Sequence, residues 1–257
     1  SSSSYRLGVV IGMPRFVFPQ IIPEFLVFRQ SLEHRDIYLG ALFWEQGGFF
    51  MKYQNILFDI DNTLINSADL IAKLLKEGAV REGVDMPIEE YRKRIGQPGE
   101  MILREFGVQN WQNVLARYLI EFNENMNELT YFVGVEQMLD DLLAMNLTVG
   151  VVTSKDRVQF DKEVSHFPII AKMPIVTTAD LTKNPKPSGE PITYTLERFN
   201  LARERTLYVG DSIFDMQASK NAGVDFVVAK WGALPNVDFN NAKYQAKTPN
   251  DIVGIVQ

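Results

Sequence analysis

Short apolar runs alternating with amphipathic, helix-like segments constrain this chain most. The runs fall at 55–58, 147–152, 206–209 and 224–229, with a weaker one at 173–176. Between them the apolar spacing switches to a helical period. Met138, Leu139, Leu142 and Leu143 share one face of the segment 135–145, and 192–199 and 214–222 read the same way. Gly223 stops the last of these, and a final short helix follows Pro249. Short apolar strands joined by helices of this length build βαβ units, so the expected fold class is α/β, a Rossmann-like parallel sheet flanked by helices.

One interval breaks the alternation. Residues 67–133 show no clear strand, yet Leu70, Ile71, Leu74 and Leu75, then Val114, Leu115, Tyr118, Leu119 and Phe122, recur at helical spacing. Loops in α/β units usually span about 2 to 6 residues. The interval is therefore read as an inserted all-helical cap subdomain, placed directly after the first strand. The catalytic core is then 51–66 together with 134–257.

Residues 1–50 differ in character. They hold none of the 13 lysines but 10 of the 29 aromatics, open on four serines, and keep no sustained period. The stretch IIPEFLVF, 21–28, reads as a short strand or an apolar strap. A basic start followed by a clean apolar core is missing, which disfavours a signal peptide. Met51 is read as the start of the folded domain, with 1–50 an extension of non-native or misassigned origin. The competing reading is an extension that packs on the domain or mediates association.

Composition narrows the chemistry. Among the 257 residues there is no cysteine, so disulfides and thiolate metal sites are excluded, which fits a cytoplasmic location. The two histidines, His34 and His166, are too few for a multi-histidine metal centre, and His166 is placed in or near the helix after the second strand with no chemical role. A net charge of −6 gives no overall attraction to nucleic acid or anionic lipid. No apolar run reaches the roughly 18 to 20 residues of a membrane span. Nucleic-acid and membrane partners are not expected. Oligomeric state is left open.

The strand-like runs end in polar residues. After 55–58 come Asp59, Asp61 and Thr63; after 147–152 come Thr153, Ser154 and Lys155. The run near Val176 leads to the loop TKNPKPSGEP with Lys186, and 206–209 ends in Gly210, Asp211 and Asp215. Open parallel sheets bind ligands outside the carboxyl ends of their strands, so these groups should share one crevice. Two carboxylates about 4 Å apart repel by roughly 1 to 4 kcal/mol at effective dielectrics of 80 to 20. Asp59, Asp61, Asp211 and Asp215 together carry a charge of −4. A divalent ion (+2) and Lys186 (+1) leave about −1, and an all-oxygen set selects a hard cation such as Mg²⁺. Such a site tolerates a phosphate group held by Lys186, Thr153 and backbone N–H donors. Asp59 closes the strand and can attack phosphorus, and Asp61 can protonate the leaving oxygen and later take a proton from water. Gly210 lets the backbone approach closely where Asp211 turns.

These residues resemble the haloacid dehalogenase-like hydrolases, in the phosphoglycolate phosphatase-like branch with a helical cap, from about Met51 onward. DIDNT (59–63) is similar to the nucleophile motif, VVTSK (151–155) to the second, NPKPSGEP (184–191) to the third and GDSIFD (210–215) to the fourth. The resemblance implies Asp59, Asp61, Thr153 and Lys186 as catalytic groups. It implies Thr63, Ser154 and Lys186 at the substrate, and Mg²⁺ held by Asp59, the backbone carbonyl of Asp61, Asp211 and Asp215. Asn62 stands where glycine is common, Asn66 where aspartate is frequent, and Gly189 where proline is often found. Lys155 is read as a solvated residue near the phosphate edge. The turn RIGQPGE (94–100) reads equally as a substrate-facing turn or a plain connection between helices.

The implied function is Mg²⁺-dependent hydrolysis of a small phosphate monoester through an aspartyl-phosphate. Phosphoglycolate, small sugar phosphates, nucleoside monophosphates and pyrophosphate all stay open as substrates. A β-phosphoglucomutase-like phosphotransferase would carry a histidine early in the cap, and 67–133 has none. A dehalogenase would lack the Asp61 partner. A receiver domain would phosphorylate an aspartate on a later strand and would lack the insertion. A phosphate-binding regulatory protein would not need every one of these groups.

Overall fold

The structure is a computed structural model that describes residues 51–257. The expectations for 1–50, including the strap at 21–28, lie outside the described residues.

Six strands form one all-parallel sheet. In chain order they are β1 (Asn55–Phe58), β2 (Thr148–Val152), β3 (Ile175–Thr177), β4 (Thr206–Gly210), β5 (Asp225–Ala229) and β6 (Tyr244–Ala246). Their spatial order is β3-β2-β1-β4-β5-β6. The chain steps from β1 to β2 and β3 on one side, then returns to lay β4 on the other side of β1. That reversal opens the crevice at the carboxyl ends of β1 and β4, where α/β sheets bind ligands. The registers Phe58↔Val151 and Phe58↔Val209 bring the three strand ends level.

Burial on both faces explains the continuous apolar runs. Ile56, Phe58, Val149, Val151, Leu207 and Val209 pack on one face. Leu57, Val152, Tyr208, Phe226 and Val228 pack on the other. Ile56, Leu57 and Phe58 have no exposed surface, and burying each such side chain contributes about 2 kcal/mol. The end of β1, and with it Asp59, is thereby held fixed. Gly150 permits the β2–β3 contact, since a Cβ there would lie 2.5 Å from Ile175 Cβ.

Between β1 and β2 lie α1 (Ala68–Arg81), α2 (Ile88–Arg92), α3 (Gly99–Glu105), α4 (Trp111–Glu124) and α5 (Val135–Ala144). The described residues from 67 to 133 contain no strand of the sheet. Helices α1 and α4 approach closely at Gly78, where a Cβ would meet Val114 Cγ1 at 2.5 Å. The remaining helices are α6 (Arg157–Val164), α7 (Pro168–Ala171), α8 (Glu190–Arg198), α9 (Ile213–Ala222) and α10 (Pro249–Val256). Strand β6 and the short α7 have no counterpart in the sequence reading. No helix among the described residues is long and apolar enough to cross a membrane.

Candidate active site

The loop after β1 is tight and specific. Asp59 N–H donates to the Val209 carbonyl at 2.9 Å, which carries the β1–β4 pairing one residue past the strand. The N–H groups of Thr63, Leu64 and Ile65 all turn back to the Ile60 carbonyl at 2.9–3.2 Å. Asn62 has φ +59°, a conformation open to glycine and tolerated by asparagine. That backbone requirement accounts for asparagine standing where glycine is common. The Asn62 side chain also donates to the Gly232 carbonyl, and Trp231 Nε1 donates to the Thr63 carbonyl at 2.9 Å. The loop after β5 therefore props the loop after β1, a support that no motif in the sequence announced.

On one flank of this loop the carboxylates of Asp59, Asp211 and Asp215 gather, with one oxygen of each within 4.8 Å of the others. Lys186 Nζ joins them, 2.6 Å from Asp59 Oδ1 and 2.8 Å from Asp215 Oδ1. Tyr208 OH lies 3.2 Å from Asp215 Oδ1 and donates to the Val152 carbonyl at 3.1 Å. Asp215 is aimed by its helix. It sits at the third position of α9 in a capping box with Ser212, whose N–H and Oγ both donate to Asp215 Oδ2, at 3.1 and 2.5 Å. Gly210 has a physical reason here: a Cβ would lie 2.5 Å from Asp215 Cγ. The glycine makes room for Asp215, in addition to the turn at Asp211. Thr63 Oγ1 donates to Asp211 Oδ1 at 3.2 Å.

The electrostatics of this flank call for positive charge. Burial pushes the Asp59 carboxyl up to about 7; Lys186 opposes that, and Asp215 and Asp61 add to it. Asp211 is raised well above the carboxylate range by burial, with Asp215 and Asp59 adding to it. Burial works against the Lys186 ammonium, but Asp215 and Asp59 outweigh it and raise Lys186 well above its ordinary value. Asp59 Oδ2 is buried and has no hydrogen-bond partner. A buried, unpartnered carboxylate oxygen among three crowded carboxylates suits a hard cation.

On the other flank Asp61 turns away from that group. Its Oδ1 accepts from Ser67 Oγ at 2.6 Å, and both its oxygens contact Lys155 Nζ. Lys155 is not solvated, contrary to expectation: it is 7% exposed and its ammonium also pairs with Glu163 Oε2 at 3.0 Å. Two carboxylates neutralise it and α4 covers it, with the Phe122 ring 5.8 Å away. Burial works against its charge, but Asp61 and Glu163 outweigh that and hold the ammonium above its usual value. Burial pushes Glu163 up to about 7, with Lys155 opposing. Glu163 was absent from the sequence reading. It lies eight residues beyond Lys155, on the last turn of α6, outside any motif.

Thr153 and Ser154 sit at the end of β2. Thr153 N–H donates to the Thr177 carbonyl at 2.9 Å, and its Oγ1 accepts from Lys155 N–H at 3.2 Å. Thr153 does not cap α6; Asp156 does, in a capping box with Gln159. Ser154 Oγ donates to the Gly96 carbonyl at 2.6 Å. Gly96 has φ +108°, and a Cβ there would meet Ser212 Oγ at 2.6 Å. The turn in RIGQPGE therefore touches the loops after both β2 and β4, and is more than a connection. His166 is exposed just after α6, near Ser165 Oγ at 3.0 Å.

Two cavities adjoin the D-x-D loop. A small one of about 50 Å³ lies over Asp59 and Asp61, walled by Ile71, Leu75, Gly96, Tyr118 and Lys155. A larger one of about 250 Å³ borders Asp211, Asn62 and Trp231, with Arg92 and Lys93 at its rim.

A family model described as haloacid dehalogenase-like hydrolase matches residues 56–229. Pyrophosphatase PpaX of Bacillus velezensis is 30% identical over 178 residues, 68% of this chain and 82% of that protein. Phosphoglycolate phosphatase of Xylella fastidiosa is 27% identical over 201 residues, 76% of this chain and 87% of that protein. The crystal structure of a candidate phosphoglycolate phosphatase from Lactobacillus plantarum superposes with TM-score 0.73 at 28% identity, covering 80% of this chain and all of that one.

Proposed function

The chain belongs to the haloacid dehalogenase-like hydrolases, and on that premise we propose that it is a Mg²⁺-dependent phosphatase that hydrolyses small phosphate monoesters through an aspartyl-phosphate on Asp59. One observation carries the reading. Asp59 keeps one oxygen on Lys186 and the other buried and unpartnered, within a group of three carboxylates. Asp59, Asp211 and Asp215 would hold the ion, together with the Asp61 carbonyl. When bound, Mg²⁺ offsets the charge of carboxylates and phosphoryl oxygens.

The residues then divide the chemistry. An Asp59 oxygen attacks phosphorus while the bond to the leaving oxygen breaks, and Asp61 delivers a proton to that oxygen. Asp61 next takes a proton from water, whose oxygen attacks phosphorus and releases Asp59 and inorganic phosphate. Lys186 neutralises charge on the nucleophile and the phosphoryl group. Thr153, Ser154 and Thr63 line the phosphoryl position, and the helices of 67–133 form a cap that excludes water. The cavity of about 50 Å³ over Asp59 and Asp61 favours a leaving group of a few heavy atoms. Phosphoglycolate and pyrophosphate, the substrates in the names of the two relatives above, have leaving groups of that size. A cysteine-free chain of net charge −6 fits a cytoplasmic enzyme acting on a free metabolite.

The test is phosphate release from p-nitrophenyl phosphate and a panel that includes 2-phosphoglycolate, pyrophosphate, a hexose phosphate and a nucleoside monophosphate. The expected outcome is Mg²⁺-dependent turnover, abolished by EDTA, with the small substrates preferred. Equal activity with EDTA, or binding of phosphate esters without turnover, would overturn the reading.

A further inference from the structure

Glu163 is a costly residue without an assigned task. It is 1% exposed, and neither carboxylate oxygen has a hydrogen-bond partner. Its ion pair is with Lys155, 3.0 Å from Oε2 but without hydrogen-bond alignment. Buried ion pairs contribute little net stability, and apolar residues of similar size often serve as well. Its neighbours on the buried face of α6, Phe160 and Val164, show that an apolar side chain would fit that environment. Helix initiation does not need it either, because Asp156 and Gln159 already cap α6.

What Glu163 does is hold one side of the Lys155 ammonium, whose other side spans both oxygens of Asp61. The backbone of Lys155 is also fixed: its N–H donates to Thr153 Oγ1 at 3.2 Å and its carbonyl accepts from Ala179 N–H at 2.8 Å. Ser67 Oγ closes the remaining side of Asp61 at 2.6 Å. A carboxylate with two rotatable bonds is thereby held in one orientation over the small cavity.

We infer that Lys155, backed by Glu163, is the positioning device for Asp61, and so acts on the proton transfer to the leaving group. The inference rests on the reading of Asp61 as acid and base. It predicts a dependence on the leaving group that a merely structural pair would not produce. p-Nitrophenolate departs as a stable anion and needs little protonation; an alkoxide needs it.

The experiment measures leaving-group release in the first turnover, with the full chain in excess and Mg²⁺ saturating. The esters are p-nitrophenyl phosphate and the alkyl phosphate that the wild type turns over fastest. General acid–base groups contribute about 10²–10⁴-fold, so Asp61→Asn and Lys155→Met should each lose at least ~30-fold more rate on the alkyl ester than on the aryl ester. Glu163→Gln, equal in size, should show the same bias at roughly 5-fold, because it loosens Lys155 without removing it. Equal losses on both esters, or none, in Lys155→Met and Glu163→Gln while Asp61→Asn discriminates would overturn the inference alone. Loss of discrimination in Asp61→Asn would instead overturn the acid/base reading beneath it. Should Lys155→Met fail to fold, Glu163→Gln decides by the same ratio.

Discussion

Two buried lysines flank the D-x-D loop, and each joins two carboxylates. Lys186 lies between Asp59 and Asp215, at 2.6 and 2.8 Å. Lys155 lies between Asp61 and Glu163. The two differ in what surrounds them. Around Lys186 both carboxylate partners come from a strand end or the first turn of a helix, and Asp211 adds a third carboxylate in excess of the cation. Around Lys155 the charges stand at two carboxylates to one ammonium, under the aromatic face of α4. The first flank has negative charge to spare for a metal; the second is closed on itself and serves to hold a side chain still. One short loop thus presents Asp59 to one environment and Asp61, two residues on, to another.

The largest effect should come from breaking the first flank. Lys186→Met should cost about 10²–10³-fold in kcat, because it removes preorganised positive charge from the phosphoryl site. The loss should be alike on aryl and alkyl esters, unlike that of Lys155→Met. It also leaves Asp59 and Asp215 buried without their ammonium, a change that typically costs about 3–5 kcal/mol. Chemical denaturation should register that loss, and Mg²⁺ should recover part of it. A leaving-group bias in Lys186→Met would erase the distinction between the flanks.

A smaller effect concerns pH. Burial raises Asp59 from 3.8 to about 7 and Glu163 from 4.5 to about 7. A carboxyl whose pKa is higher folded than unfolded binds its proton more tightly in the folded protein. The stability it contributes is full below about 4 and is lost as pH rises through about 7. Scanning calorimetry of the metal-free protein should therefore show Tm falling between about pH 5.5 and 8. Mg²⁺ should raise Tm more at pH 8 than at pH 6, since the ion competes with protons for the Asp59 flank and not for Glu163. A Tm that climbs over that range without metal would contradict the assignment of these groups as buried and under-neutralised.

The contrast also marks where sequence reading stops. β1, β2, β4 and β5 appear within about two residues of their expected positions, because strands covered on both faces leave uninterrupted apolar runs. β6 leaves no such trace: of its three residues only Ala246 is buried. Asp59, Lys186, Asp211 and Asp215 were legible because each follows a strand-like run, and a parallel sheet brings strand ends together. Lys155 was legible as a residue but not as a buried one. Its burial depends on Glu163, from a helix, and on Phe122, from a segment more than thirty residues upstream in the chain. Neither carries a motif. The same holds for Gly232 and Trp231, whose contacts with Asn62 and Thr63 join two loops far apart in sequence. Tyr208 reads as one apolar strand residue among several, yet its hydroxyl reaches Lys186 and Asp215.

The central claim is that Asp59 carries the phosphoryl group. Asp61→Asn should slow hydrolysis of the intermediate and so accumulate it. The measurement is acid quench of that variant during reaction with Mg²⁺ and an activated aryl phosphate labelled on phosphorus, followed by peptide mapping. The account predicts one covalent phosphoryl group on the peptide containing Asp59, and none when Asp59→Asn is added. Turnover without covalent label, or label on any other residue, would contradict it.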